Sequence, residues 1–266
     1  SGEVRLQGAK NSALPILAAA ASVDGVSVIH NCPRLSDVDA AIKILRFIGC
    51  KVEREGDTVT VDATDVSRCD VPRELMCEMR SSVIFLSPLL ARLGMAEISA
   101  PGGCEIGLRP IDLHLSSLRL MGAQIETEGG VLSCRCPDGL RGEKITLSFP
   151  SVGATENILI AAASADGETV ILNAAREPEI ADLADFLCSC GAHISGAGSG
   201  EEQRPVLSRE PHYGESGSRK PEKGGDALRS SYFVKYSRGL RKRPAAEIHQ
   251  RIPWGAESGR CLLYTS

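Results

Sequence analysis

VSVIHNCPRLSDVDAAIKILRFIGCKVE, from Val26, and TVILNAAREPEIADLADFLCSCGAHIS, from Thr169, decide the architecture, because the second lies over the first without a gap from Val28 over Val170 onward. Asn31 then matches Asn173, Arg34 matches Arg176 and Gly49 matches Gly191. Between them lies a third copy, AEISAPGGCEIGLRPIDLHLSSLRLMGAQIE, with a longer loop between its strand and its helix and with Gly122 in the place of Gly49. A period of about seventy residues marks a repeat architecture, in which neighbouring units must cover one another's apolar faces.

Each copy follows an alanine- or leucine-rich helical run that ends in glycine: SALPILAAAASVDG to Gly25, SSVIFLSPLLARLG to Gly94 and GATENILIAAASADG to Gly167. The unit is therefore helix, strand, polar loop, helix, strand. Val26, Val28 and Ile29, like Val170 and Ile171, are β-branched residues suited to the first strand. Ile42, Leu45 and Ile48, and Leu115, Leu118 and Met121, recur at helical spacing. Gly49, Gly122 and Gly191 stand where a left-handed residue would end that helix. Together these units predict one α/β domain with a three-fold repeat over residues 1–198.

Composition excludes several classes. With 42% hydrophobic residues in 266 the chain can build a real core, and a formal charge of −4 supplies no global field for polyanions. No stretch approaches a membrane span and the start carries no basic-then-apolar signal, so a cytoplasmic place is expected. Ten cysteines are too dilute for a disulfide scaffold. Cys134 with Cys136 and Cys188 with Cys190 are spaced C-x-C with no histidine cluster, which reads as buried thiols and not as a metal site.

After Gly198 the apolar periodicity stops. Residues 199–266 carry the tyrosines, the tryptophan and the basic set Arg238, Arg241, Lys242, Arg243 and Arg251, and they read as an irregular tail. A solvated linker, residues read out of frame, or a basic aromatic arm for nucleic acid would each produce this composition. The frame break is favoured, since the fourth unit never arrives.

Chemistry gathers at the starts of the helices. GAKNSALP places Lys10 and Asn11 at a helix mouth, where an ammonium and free N–H groups suit an anion, although a lysine there is ordinarily solvated. Arg80, in MRSS, is a second cation at such a position. FPSVGATEN offers Ser151, Gly153 and Thr155 at the same point of the third unit, so three mouths are expected to converge on one phosphorylated ligand. The longest polar loop, PGGCEIGLRPIDLH, holds Cys104 among glycines, followed by Arg109, Pro110 and Asp112. A thiol on a mobile loop near cations can act as acid or nucleophile, and an arginine forks onto phosphate or carboxylate.

GAKNSALPILAAA, MRSS, PGGCEIGLRPIDLHL, FPSVGATEN and NAAREPEIADLADFL together closely resemble the UDP-N-acetylglucosamine 1-carboxyvinyltransferase family of enolpyruvyl transferases, over about residues 2–198. The resemblance implies two domains of three like units each, of which this would be one, folded as an inside-out α/β barrel. It implies transfer of the enolpyruvyl group of phosphoenolpyruvate to UDP-N-acetylglucosamine with release of phosphate, the first committed step of peptidoglycan precursor synthesis. No metal and no organic cofactor are implied, and neither nucleic acid nor membrane is an expected partner. Carried over by motif, Cys104 is the general acid, and Lys10, Asn11 and Arg109 bind phosphoenolpyruvate. Arg80, Arg109, Pro110, Ile111, Asp112 and Leu113, with Phe149, Pro150, Ser151 and Val152, would hold the sugar nucleotide. The resemblance also implies a second domain with a catalytic aspartate for which this sequence has no candidate, so little or no turnover is expected. A shikimate-type transferase and a non-catalytic sugar-nucleotide binding module are the alternatives.

Overall fold

In the computed structural model the described residues are 8–99 and 111–197, with the backbone of 231–235 and 246–249. The first unit runs α1 (Lys10–Ala20), β1 (Val26–His30), α2 (Ser36–Phe47), β2 (Lys51–Glu55) and β3 (Thr58–Asp62). The second runs β4 (Asp70–Val71), α3 (Arg73–Cys77), a 3-10 turn at Ser82–Phe85, α4 (Leu86–Leu93), β5 (Met95–Ser99), α5 (Asp112–Leu120), β6 (Gln124–Glu128) and β7 (Val131–Arg135). The third is β8 (Lys144–Thr146), α6 (Val152–Ala162), β9 (Glu168–Leu172), α7 (Pro178–Ser189) and β10 (His193–Ser195), with β11 (Ser231–Lys235) and β12 (Ala246–His249) beyond it.

The predicted repeat is present in the backbone angles. Asn31 and Asn173 are the non-glycine residues at positive φ, 55° and 58°, among the described residues. At the end of α2 the Gly49 N–H bonds Arg46 and the Cys50 N–H bonds Leu45, at 3.2 and 2.9 Å. Gly122 with Ala123, and Gly191 with Ala192, repeat the same pair of bonds after α5 and α7. These are Schellman endings, and the three glycines adopt the φ of 112°, 102° and 102° that such an ending asks of them.

Each unit owns a four-stranded sheet of one design. The orders are β12-β1-β3-β2, β4-β5-β7-β6 and β10-β11-β9-β8. In each, a leading strand lies parallel to the unit's first strand, and the last two strands form antiparallel pairs beside it. The hairpin return strands β3 and β7 go beyond the predicted unit; TVTVD at 58–62 alternates as a half-buried strand should.

The described strands form three separate sheets around buried helices and close no barrel among themselves. One expectation is corrected. The tail expected to be irregular supplies β11 and β12, which take the places that β3 or β7 and β4 or β8 hold in the other sheets. Without β11, the strands β9 and β10 would leave facing edges unpaired, and SYFVK offers three consecutive strand formers to fill the gap. Residues 199–230, 236–245 and 250–266 lie outside the described residues.

The two helices of a unit differ in burial. From Ser12 to Ala20 every residue of α1 is buried, and so is every residue of α6 from Ala154 to Ala162. These two helices are mostly apolar and lie inside, with Ser12, Thr155, Glu156 and Asn157 as buried polar members, whereas α2 and α7 bury one stripe and show charge on the other. The second unit's helical run begins as the 3-10 turn at Ser82–Phe85 and continues as α4, with Pro88 in its first turn. No helix among the described residues is long and apolar enough to cross a membrane.

Candidate active site

The starts of α1, the 3-10 turn and α6 occupy equivalent points of the three units, and they meet at one cavity of about 590 Å³. Lys10 and Asn11 come from the first unit, Arg80 from the second, and Ser151, Val152 and Gly153 from the third, with Ile111 beside them. The convergence expected from the repeat is what the fold builds. Asp112 opens α5 and is exposed, Leu113 is partly buried against the core, and neither lines the cavity. Phe149, 54% exposed, and Pro150 stand on the loop leading to α6, outside the lining. Cys104, Arg109 and Pro110 lie outside the described residues.

Lys10 is not simply solvated. Its Nζ lies 2.8 Å from Asp37 Oδ2, in the first turn of α2. A cation at the positive end of α1 is unfavourable by itself, and the neighbouring carboxylate offsets that. Asn11 donates from Nδ2 to Glu179 Oε1 at 3.4 Å, and Ser12 donates to the buried Asp182 at 2.7 Å, so α1 enters the site tied to α7. Arg80 stands exposed, with no carboxylate at ion-pair distance among the described residues. It is the cation most open to an incoming anion.

At the third mouth, Ser151 caps α6, its Oγ accepting from the Ala154 N–H at 3.4 Å. Thr155, read from sequence as part of this mouth, is fully buried. It accepts from the Ala175 N–H at 3.1 Å and donates to the Ser151 carbonyl at 2.8 Å, fastening α6 to the loop before α7.

Sequence reasoning missed Asp37, His114, Glu156 and Glu179, all of which line the cavity. Two were within reach: the gap-free alignment sets Asp37 over Glu179, so an acidic first turn recurs at the same point of α2 and α7. Glu156 had no such signal; it is a carboxylate within the buried stretch of α6, 7% exposed.

The buried thiols are poor nucleophiles. Burial pushes Cys32, Cys134 and Cys190 up to about 11 and Cys50 up to about 12, against weaker lowering by nearby arginines or a Ser189 hydroxyl. Cys134 and Cys136 share the buried face of the β7 strand and its extension, as their spacing predicted. Cys188, expected to be buried, is exposed, and so is Cys77.

Residues 1–212 match the family model described as EPSP synthase (3-phosphoshikimate 1-carboxyvinyltransferase). UDP-N-acetylglucosamine 1-carboxyvinyltransferase 2 of Caldanaerobacter subterraneus subsp. tengcongensis is 57% identical over 198 residues, 74% of this chain and 47% of that protein. The UDP-N-acetylglucosamine 1-carboxyvinyltransferase of Shewanella amazonensis is 50% identical over 199 residues, 75% of this chain and 48% of that protein. The chain thus spans about half the length of the curated relatives it matches. Among solved structures, the enolpyruvyl transferase NikO from Streptomyces tendae superposes with a TM-score of 0.72 at 22% identity, over 94% of this chain and 52% of that one. EPSP synthase from Acinetobacter baumannii superposes with a TM-score of 0.65 at 19% identity, covering 94% and 50%. At such identities the likeness speaks for the fold. Repeat, three-sheet architecture and sequence match agree that the chain belongs to the enolpyruvyl transferase family, where it is similar to the UDP-N-acetylglucosamine 1-carboxyvinyltransferases.

Proposed function

We propose that this chain carries the sugar-nucleotide side of an enolpyruvyl transferase acting on phosphoenolpyruvate and UDP-N-acetylglucosamine, in the cytoplasm and toward peptidoglycan precursors. The observation that carries this reading is the meeting of three helix mouths, with Lys10 and Arg80, at one cavity of about 590 Å³. Helix N-termini and cations together attract phosphate oxygens. Relatives that share 50–57% of aligned residues carry the UDP-N-acetylglucosamine name, which favours this acceptor over the shikimate type.

In the proposed reaction Lys10 and Asn11, with Arg109, hold phosphoenolpyruvate, and Arg80, Pro110, Ile111, Asp112, Leu113 and the stretch Phe149, Pro150, Ser151 and Val152 hold the sugar nucleotide. The Cys104 thiol protonates the methylene carbon and becomes a thiolate, while the sugar hydroxyl oxygen bonds to the adjacent carbon and gives its proton to a carboxylate base, the aspartate that the family resemblance implies. A tetrahedral adduct results. The thiolate then takes back a methyl proton as phosphate leaves with the proton held by the base, which restores the double bond on the new ether. No metal or organic cofactor enters this scheme.

Calorimetric titration of UDP-N-acetylglucosamine, paired with a phosphate assay in the presence of phosphoenolpyruvate, tests the reading on the chain and on Arg80→Ala and Cys104→Ser. Binding that weakens at least tenfold in Arg80→Ala is expected, since a charge-assisted contact is worth about 1.5–3 kcal/mol. Absence of binding, or binding indifferent to Arg80, overturns it. A second outcome, binding without phosphate release, would make the 266 residues a sugar-nucleotide binding module. Phosphate release that falls in Cys104→Ser would reject that second reading.

A further inference from the structure

Lys10 and Arg80 are the cations that line the cavity among the described residues, and they differ in their company. Lys10 Nζ lies 2.8 Å from Asp37 Oδ2, whereas Arg80 has no carboxylate at ion-pair distance among the described residues. Asp37 lines the same cavity and belongs to α2, so the Lys10 pair joins two helices of the first unit.

The way α1 begins explains the pairing. Its N-cap, Ala9, makes no side-chain cap, and its first turn carries no acid, which leaves a positive helix end with a lysine at its first position. The neighbouring helices supply what α1 lacks. Asp37, from the first turn of α2, meets Lys10, and Glu179, from the same point of α7, accepts from Asn11 Nδ2 at 3.4 Å. The Lys10 and Asp37 side chains are 46% and 27% exposed, so parting them costs little.

An ammonium has three donors, of which Asp37 takes one. An oxygen that accepts another sits within about 6 Å of Asp37 Oδ2, the reach of the 2.8 Å contact plus one further hydrogen bond. That distance is inside the screening length of about 8 Å at physiological salt, so an anion held by Lys10 is repelled by the carboxylate beside it.

We propose that Asp37 is a positioning residue, the resident counter-ion of Lys10: it holds the ammonium at the mouth of α1, and an entering phosphate or carboxylate has to share or displace it, which caps anion affinity at this mouth. The counter-ion role rests on the geometry alone; phosphoenolpyruvate as the anion rests on the proposed function.

The two are tested apart. In the ¹⁵N-labelled chain the Lys10 ammonium is followed by proton–nitrogen NMR, its signal assigned by its loss in Lys10→Arg. Its order parameter is expected to be higher in the parent than in Asp37→Asn, and equal values overturn the hold. Inorganic phosphate is then titrated at fixed ionic strength, with melting curves alongside, and Asp37→Asn is expected to bind it about tenfold more tightly than the parent. Glu179→Gln removes an acid that meets Asn11 instead and should gain less. Damage to the fold weakens binding, so a gain separates a counter-ion from a merely structural pair. Unchanged or weaker phosphate binding in Asp37→Asn overturns the proposal, as does a gain of the same size when Asp37→Asn is added to Lys10→Ala. Phosphoenolpyruvate is titrated last. Tighter phosphate binding in Asp37→Asn without any binding of phosphoenolpyruvate removes the functional reading and leaves Asp37 as the counter-ion.

Discussion

The first and third units share a scaffold and differ at their mouths. Asn31 and Asn173 keep the same φ, Gly49 and Gly191 keep the same helix ending, and Asp37 and Glu179 keep an acid in the same first turn. At the mouths the same alignment sets Lys10 over Val152, Asn11 over Gly153, Leu14 over Glu156 and Pro15 over Asn157. Positions that hold the backbone tolerate little change; positions that open onto the cavity have been free to take different chemistry. Three copies of one unit thereby make an asymmetric site.

The largest expected effect falls on the scaffold. A Cβ at Gly49 would lie 2.5 Å from the Asp65 carbonyl oxygen, on a backbone at φ 112°. Gly49→Ala should destabilise the chain by about 2–4 kcal/mol, read by urea unfolding, whereas Gly56→Ala, at φ 62° with nothing near its Cβ, should cost about 1 kcal/mol. Equal costs would mean that the helix ending is not what holds the repeat.

Next comes pH. Cys50 follows Gly49 where the other units carry Ala123 and Ala192, and burial lifts its thiol from near 9 to about 12. Unfolding exposes it, so above about pH 9 the unfolded chain binds fewer protons than the folded one and stability falls as pH rises toward 12. Cys50→Ala, borrowing the residue of the other units, should flatten the alkaline decline of the melting temperature. An unchanged decline would assign it to Cys32, Cys134 and Cys190.

A smaller and opposite effect is expected inside the sheets. Ser27 and Thr169 occupy equivalent points of β1 and β9, where the second unit has Ala96, and their hydroxyls are buried with no hydrogen-bond partner among the described residues. Thr169→Val should stabilise by about 1 kcal/mol, since it removes a desolvated hydroxyl at nearly constant volume. Destabilisation would show that the hydroxyl is satisfied after all. Smallest is the mouth pair itself: Asp37→Asn frees Lys10 from a half-exposed ion pair and should change stability by less than about 1 kcal/mol.

Local chemistry was legible in the sequence wherever it repeats. The period, the helix-ending glycines and the three mouths each depend on residues close in the chain, and a rule about caps or dipoles needs no knowledge of the neighbours. The hairpin strands β3 and β7 were equally local and were passed over, although TVTVD alternates plainly. The strands of the tail were different: SYFVK is a strand by pairing with both β9 and β10, a partnership that no window of sequence contains.

The sequence by itself determined the three-fold unit and named Lys10, Asn11, Arg80 and Ser151, because propensity, capping and charge at helix ends are properties of short segments. Only the tertiary structure decided that Lys10 is held by Asp37, that Thr155 is a buried fastener, and that Ser87, Asn157 and His114 form one chain of hydrogen bonds. Those residues lie on different helices, and a hydrogen bond exists only where packing brings donor and acceptor within about 3 Å of each other.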